Sequence, residues 1–407
     1  MQWLKEIPSH WEVRKMKYCF SERSEKNHPD EPILCATQSQ GVIPQSMYAN
    51  RVVVVNKGFE GLKLVKKGDF VISLRSFEGG IEYAYYQGII SAAYTILQPN
   101  KDSFSNYWKA LFKSHPFIQL LQICVTGIRE GQNINYSMLS RAFLPLPPLA
   151  EQEKIVSYLE DKTSKIDAYI ADKEKEIELL QELKQKTIAD AVTKGLNPDA
   201  KMKDSGISWI GEIPEHWEEY RFATLFKEKS ICNHINEELL SVYLDRGVIR
   251  FSEDNNKRTN PTSKDLSKYQ LVDIGDFVLN NQQAWRGSVG VSKYRGIISP
   301  AYFIFEMSSK LNPLYANYLL RSTSCVAYYY ICSKGIGSIQ RNLDWSSLKQ
   351  KKLAIPPQDE QQAIVAYIEE KCEKIDKLAS DLQSEIDYLK EYKQRLIADC
   401  VTGQVKV

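Results

Sequence analysis

Side chains able to do chemistry are present in this chain, but their spacing matches none of the arrangements that catalysis requires. The five His are dispersed, and the eight Cys include no C-x-x-C pair, Cys325 and Cys332 being the nearest neighbours. That distribution argues against a zinc site and for reduced thiols in a cytoplasm. A phosphate cradle would need G-x-x-x-x-G-K-[ST], which no segment supplies. Methyl transfer to the amino group of a base calls for Asn or Asp followed by Pro-Pro and an aromatic. NPDA at Asn197, NPTS at Asn260 and NPLY at Asn312 each lack the second Pro. There is no nucleophile elbow, no H-E-x-x-H and no convincing carboxylate pair. Glu182 and Lys184 form an acid-x-Lys match, but on a charged helix such side chains are solvated. His10 and His216 each stand beside a Trp in a repeated turn and read as capping or packing residues, with no chemistry assigned to either. The sequence reads as a binder.

The elements that must position any binding surface come from a duplication. Residues 147–196 read PPLAEQEKIVSYLEDKTSKIDAYIADKEKEIELLQELKQKTIADAVTKGL, and residues 356–405 repeat them as PPQDEQQAIVAYIEEKCEKIDKLASDLQSEIDYLKEYKQRLIADCVTGQV. Tyr158 and Tyr367, Ile166 and Ile375, and Ala189 and Ala398 are all 209 residues apart, without a gap. A repeat that long is not chance. Each copy opens on a Pro pair and closes at a Gly, Gly195 or Gly403, so each predicts one helix of about 40 residues. The first carries an apolar seam at Ile155, Leu159, Ile166, Ile170, Lys173, Ile177, Leu180, Lys184, Thr187 and Ala191. The second carries it at Ile364, Ile368, Ile375, Ala379, Leu382, Ile386, Leu389, Lys393, Leu396 and Cys400. Alternating steps of four and three are a coiled-coil signature, and a lone helix of this length cannot bury its stripe. The obvious partner is the other copy.

A β-rich segment precedes each helix. WLKEIPSHW from Trp3 returns as WIGEIPEHW from Trp209, KKGDFVISL around Gly68 as DIGDFVLNN around Gly275, and GIISAAYTIL from Gly88 as GIISPAYFIF from Gly296. Between these anchors the copies diverge: LRSFEGGIEYAYYQ stands opposite NQQAWRGSVGVSKYR. Loops that face a variable target would diverge in this way. The stretch SNYWKALFKSHPFIQLLQ from Ser105 and its counterpart from Asn312 predict a helix packed on the sheet, with its aromatics in the core.

The net charge of +2 conceals a segregation. Residues 1–148 hold 17 basic against 12 acidic side chains and residues 203–355 hold 20 against 16, whereas 149–202 hold 9 against 12 and 356–407 hold 7 against 11. Basic lobes fit a nucleic-acid surface without demanding one. No window of about 18 apolar residues suggests a membrane span and no signal peptide opens the chain, so a cytoplasmic location is expected.

Taken together, the Trp-x-x-x-Ile-Pro-x-x-Trp entrances, the GIIS-x-A-Y strands, LPPLAEQEKIV and the KQKTIADAVTKG and KQRLIADCVTGQ helix ends resemble the specificity subunit of a type I restriction-modification system. The resemblance covers nearly the whole chain. It implies an α+β fold in which two β-rich target-recognition lobes are separated by an antiparallel coiled coil of two long helices, a pseudo-twofold internal repeat. The expected boundaries are 1–148 for the first recognition domain, 149–194 for the first helix, 195–208 for a linker, 209–356 for the second domain, 357–402 for the second helix and 403–407 for a tail. The implied function is non-catalytic: recognition of a bipartite, asymmetric sequence in double-stranded DNA, and recruitment of two modification subunits and then restriction subunits. No cofactor is expected in this chain, S-adenosylmethionine being held by the modification subunits. A competing reading is a coiled-coil adaptor that binds proteins through both lobes.

Base reading in the major groove needs fixed forks of donors and acceptors, Arg toward guanine and Gln or Asn toward adenine. The second lobe offers Gln282, Gln283, Trp285 and Arg286 in NQQAWRG, and Gln340, Arg341 and Asn342 in GSIQRN. The first offers Arg75, Ser76 and Glu78 in SLRSFEGG, and Arg129, Glu130, Gln132 and Asn133 in GIREGQN. Lys257 and Arg258 in NNKRTN are candidate phosphate clamps, with plain exposed charge as the reading favoured over that role. For the partner subunits, polar residues that repeat outside the seam are the candidates: Glu160 with Glu369, Lys165 with Lys374, Asp167 with Asp376, and Gln185 with Gln394.

Overall fold

The computed structural model describes residues 3–4, 6–49, 58–100, 104–126, 133–207, 210–244, 246–253, 265–335 and 341–407. Two compact units make up the chain, the first from residues 1–175 with 382–407 and the second from residues 176–381. Each therefore contains one lobe, the first part of the helix that follows it and the last part of the other long helix.

In the first unit the lobe is built on a four-stranded antiparallel sheet ordered Phe20–Arg23, Thr95–Pro99, Phe70–Ile72, Glu82–Tyr83. Side chains on a strand alternate between faces. Phe70 and Ile72 accordingly join Phe20, Trp108 and Phe112 in one core cluster, while Val71 joins Val42, Val65 and Ile96 in another. A strand with a core on each face has no polar side, which is why FVI is buried throughout. Short pairs complete the lobe: Leu34–Thr37 with Gly41–Pro44, Lys63–Val65 with Gly88–Ile90, and Val125–Thr126 with Asn133–Ile134.

The second unit repeats this plan. Its sheet runs Phe226–Lys229, Tyr302–Met307, Phe277–Asn280, Val289–Val291. Phe277 and Leu279 face one cluster and Val278 the other. The motifs shared by the two lobes have structural causes. Gly68 and Gly275 sit at φ +97° and +90°, and the Asp that follows each turns back to accept the backbone N–H three residues earlier, Lys66 to Asp69 (2.8 Å) and Asp273 to Asp276 (2.7 Å). At Gly88 and Gly296 a Cβ would lie 2.3 Å from the Pro32 carbonyl oxygen and 2.4 Å from that of Glu238, so the crossing strands leave room only for glycine.

The helical stretch in each lobe is two helices, not one: Ser105–Phe112 and His115–Ile123 in the first unit, Pro313–Arg321 and Thr323–Ile331 in the second. Pro116 cannot supply an interior N–H, and the Ser114 hydroxyl donates back to the Leu111 carbonyl (2.7 Å). Ser322 makes the same break by donating to Leu319 (2.6 Å). Tyr107, Trp108, Phe112, Phe117, Tyr315 and Tyr329 are fully buried, in keeping with a core role for these aromatics.

The long helices run Leu149–Lys194 and Gln358–Val401, 46 and 44 residues, somewhat beyond the 40 expected. Within the first unit Asp167 meets Lys393 (2.6 Å), Lys173 meets Glu385 (3.6 Å) and Glu174 meets Lys390 (3.5 Å). From Asp167–Lys393 to Lys173–Glu385 the numbers rise on one helix and fall on the other, which defines an antiparallel pair. Within the second unit Lys184 meets Asp376 (2.6 Å), which repeats the Asp167–Lys393 bridge with the helices exchanged. The seam is the shielded stripe on both helices, with Ile155, Leu159, Ile170, Ala191, Ile364, Ile368, Leu382, Ile386, Leu396 and Cys400 buried. Cys372 is also buried there, a seam position the spacing argument passed over. Residues 195–208, read as a linker, contain a strand, Met202–Asp204, paired with Glu212–Pro214.

Candidate nucleic-acid interface

Each lobe is locked to the helix that follows it by the same set of contacts. The entrance strand pairs with the exit strand, Glu12–Lys15 with Phe143–Leu146 and Glu218–Arg221 with Lys352–Ile355. Glu151 then accepts from the Trp11 indole (3.0 Å) and contacts His10 (2.9 Å), and Glu360 accepts from Trp217 (3.1 Å) and contacts His216 (2.8 Å). Gln152 and Gln361, almost fully buried, each accept a lobe backbone N–H, from Phe104 (2.9 Å) and Asn312 (2.7 Å). Each lobe also holds the end of the other long helix: Tyr107 donates to the Val401 carbonyl (2.9 Å) and Tyr315 to that of Val192 (3.2 Å). The sequence reading assigned His10 and His216 no chemistry and gave the Glu-Gln pair no role of its own, although E-Q recurs in both copies three residues after the second Pro.

On this frame the second unit brings its two candidate loops together. The turn Ala284–Arg286 packs against the helix Thr323–Ile331, and the hairpin of Ser333–Lys334 with Asn342–Leu343 follows that helix directly. Asn281 joins loop to hairpin, accepting the Leu343 N–H at its backbone oxygen (3.1 Å) and at Oδ1 (2.9 Å). Gln282, Arg286 and Asn342 are exposed, and Gln283, Trp285 and Arg341 half-buried. The Trp285 and Tyr330 rings are 6.3 Å apart, with the Arg286 guanidinium 4.6 Å from the Trp285 ring and that of Arg341 4.3 Å from the Tyr330 ring. Asp344, at the base of the hairpin, is held at about 2 by hydrogen bonds from Lys334 and Ser346. Sequence reasoning missed Tyr330, whose signal was hidden in the run YYY among residues assigned to the core.

In the first unit the corresponding turn, Ser76–Gly79, lies against the helix His115–Ile123. Lys113 fastens it by donating to the Gly79 carbonyl (2.8 Å). Arg75 and Glu78 are exposed, and Glu78 accepts from Gln38 (3.3 Å). Ser76 is buried and closes the turn, its hydroxyl oxygen accepting the Ser73 N–H (2.9 Å). Asn133 is exposed on the hairpin after the helix. Arg129, Glu130, Gln132, Lys257, Arg258 and Gln340 lie outside the described residues.

The candidates on the long helices fall into three kinds. Asp167 and Asp376 are committed to the helix pair through Lys393 and Lys184. Lys165 and Lys374 make pairs along their own helix, with Asp161 (2.7 Å) and Glu370 (2.5 Å). Glu160, Glu369, Gln185 and Gln394 are exposed. The last two line matched grooves, Gln185 with Ala189, Thr323 and Val326 in the second unit, and Gln394 with Ala398, His115 and Ile118 in the first. Among the described residues no cluster of His, Cys, Asp and Glu could hold a metal ion, and no helix is long and apolar enough to cross a membrane. Seven of the eight thiols are buried, and burial pushes Cys325 up to about 12 and Cys19 and Cys400 to about 11.

Comparison with known proteins gives a consistent result. A sequence profile described as the type I restriction modification DNA specificity domain matches twice, over residues 7–179 and 214–387. The putative type I restriction enzyme MjaX specificity subunit of Methanocaldococcus jannaschii is 25% identical over 425 residues, covering 99% of this chain and 95% of its own. The HsdS subunit of Thermoanaerobacter tengcongensis has the same fold at 14% identity, with a TM-score of 0.54 over 98% of this chain and 99% of its own. A structure described as the basis of complex assembly and conformational transition of the type I R-M system superposes with a TM-score of 0.67, at 14% identity, over 98% of this chain and 100% of the other.

Proposed function

We infer the function from one premise: the chain belongs to the family of type I restriction modification DNA specificity domains, and it is a specificity subunit with two target-recognition domains. Each lobe reads one half of a bipartite DNA site, the first through Arg75, Glu78 and the hairpin carrying Asn133, the second through the surface around Gln282, Arg286 and Arg341. The observation that carries this reading is the convergence, in the second unit, of two divergent and sequence-distant polar loops on one helix end. Precise base reading needs such immobile forks, whereas backbone contacts only fix register.

The paired helices act as a spacer. Antiparallel pairing recurs within each unit with the same ion pair, which supports a spacer that favours one separation of half-sites, each base pair advancing the DNA by about 3.4 Å. The same helices dock two modification subunits. Support comes from exposed apolar side chains at matched positions, Leu179 with Tyr388, Leu183 with Tyr392 and Leu378 with Tyr169, beside the repeated Glu160 with Glu369 and Gln185 with Gln394. Restriction subunits join that assembly, and S-adenosylmethionine is held by the modification partners.

Mobility shift of duplex DNA by the chain with its modification partner, at several salt concentrations, tests the reading. Affinity should fall steeply with salt, with a sequence preference that persists above the non-specific background. Absence of DNA binding by the assembled complex would refute it. A complex with one modification subunit instead of two, measured by light scattering, would refute the docking scheme alone.

A further inference from the structure

The second lobe carries a row of rings and guanidinium groups that has no counterpart among the described residues of the first. Arg286, Trp285, Tyr330 and Arg341 follow one another at 4.6, 6.3 and 4.3 Å. Tyr330 is half exposed although Tyr328 and Tyr329 beside it are buried, because successive helical residues point about 100° apart. At the matching helix end the first unit has Gln122, followed by an exposed Ile123, where the second has Tyr330 and Ile331. Arg341 is fixed on three counts: its ring contact, an Nη donated to the Ser333 carbonyl (3.2 Å), and the strand pairing of its neighbour Asn342 with Lys334. Its Nε is buried and meets no acceptor among the described residues.

We propose that Arg341, oriented by Tyr330, is a specificity-determining residue of the second lobe and selects a guanine in its half-site. This rests on the DNA-reading function above. A guanidinium held over a ring is restricted in where its N–H edge can point, and such a fork matches guanine O6 and N7, a pair of acceptors that no other base presents in the major groove. Tyr330 is a positioning residue, since it limits the rotamers of Arg341 without needing to touch DNA. The lack of an aromatic at this place in the first unit means that the two half-sites are read by different chemistry.

The test is selection of bound sites from a random duplex library by the complete complex of this chain with its modification partners, comparing the wild type with R341K, R341A and Y330L. The wild type should specify a guanine in one half-site. R341K, which keeps the charge but not the fork, should lose about tenfold to a hundredfold of preference at that position alone, leaving the other half-site intact. R341A should lose at least as much, and Y330L should weaken the same position less. An unchanged guanine preference in R341K and R341A would overturn the proposal. So would a loss spread evenly over all sequences with a salt slope smaller by about one, the mark of a phosphate contact. A wild-type complex that binds DNA without any preference would instead remove the DNA-reading premise, and the inference with it.

Discussion

Glu360→Ala should destabilise the second unit by roughly 1–4 kcal/mol, and the size of the effect follows from three interactions. The Trp217 indole N–H lies 3.1 Å from Glu360 Oε1, and Trp217 is only 1% exposed, so truncation leaves a buried donor without its acceptor. Such an orphan costs about 1–3 kcal/mol. Glu360 also stands in the first turn of the helix Gln358–Val401, where a negative charge contributes about 0.3–1 kcal/mol against the helix dipole. The His216 contact adds little, because that side chain is 52% exposed and water screens the pair. At about 2–4 °C per kcal/mol for a body of this size, the melting transition should fall by roughly 3–15 °C. Glu360→Gln keeps an acceptor for the indole and should lose about 1 kcal/mol or less. Scanning calorimetry of the two variants beside the wild type measures this, with Glu151→Ala as the matching change in the first unit. A shift within 1 °C for Glu360→Ala would refute the reasoning. So would an equal fall for Glu360→Gln, which would place the effect in the charge and not in the indole.

Gly296→Ala adds a Cβ 2.4 Å from the Glu238 carbonyl oxygen and should cost about 1–3 kcal/mol in urea denaturation; an unchanged midpoint would mean that the strand crossing yields freely. Asp344 has its folded pKa depressed to about 2 from the usual 3.8, so its contribution to stability is present above pH 4 and is lost as pH falls toward 2. Asp344→Asn should therefore flatten the loss of stability across that window, and identical slopes for variant and wild type would contradict the assignment. Inserting one heptad at matched places in both long helices lengthens the pair by about 10 Å, close to three base pairs, and should move the preferred spacer by that amount. Sites selected with the original spacer would reject the spacer role of the helices.

Helices with a sustained stripe were the most legible part of the sequence. Ile364, Ile368, Leu382 and Ile386 are buried where the spacing placed them because one periodic face suffices to define a helix pair, and the duplication supplied the second face. The lobes were legible as β-rich but not as a topology. Phe70–Ile72 and Phe277–Asn280 have a core on both faces, so neither shows the alternation that marks a half-buried strand. The approach of NQQAWRG to Arg341 and Asn342 depends on Asn281 meeting Leu343 across 62 residues, a contact with no local signature. Tyr330 escaped for a related reason: within TSCVAYYYI each Tyr is equally apolar, and only the packing of the helix decides which one faces outward. The Glu151 and Glu360 clamps join residues 140 and 143 positions apart, and only their recurrence in both copies could have revealed them.

The most direct test of the whole account is the set of duplexes recovered from a fully randomised library by this chain assembled with its modification partners. The proposed reading, with one unlike surface per lobe and the paired helices as spacer, predicts two short and different blocks of specified sequence separated by unspecified base pairs of constant number. A single contiguous block, or two blocks at variable separation, would contradict it.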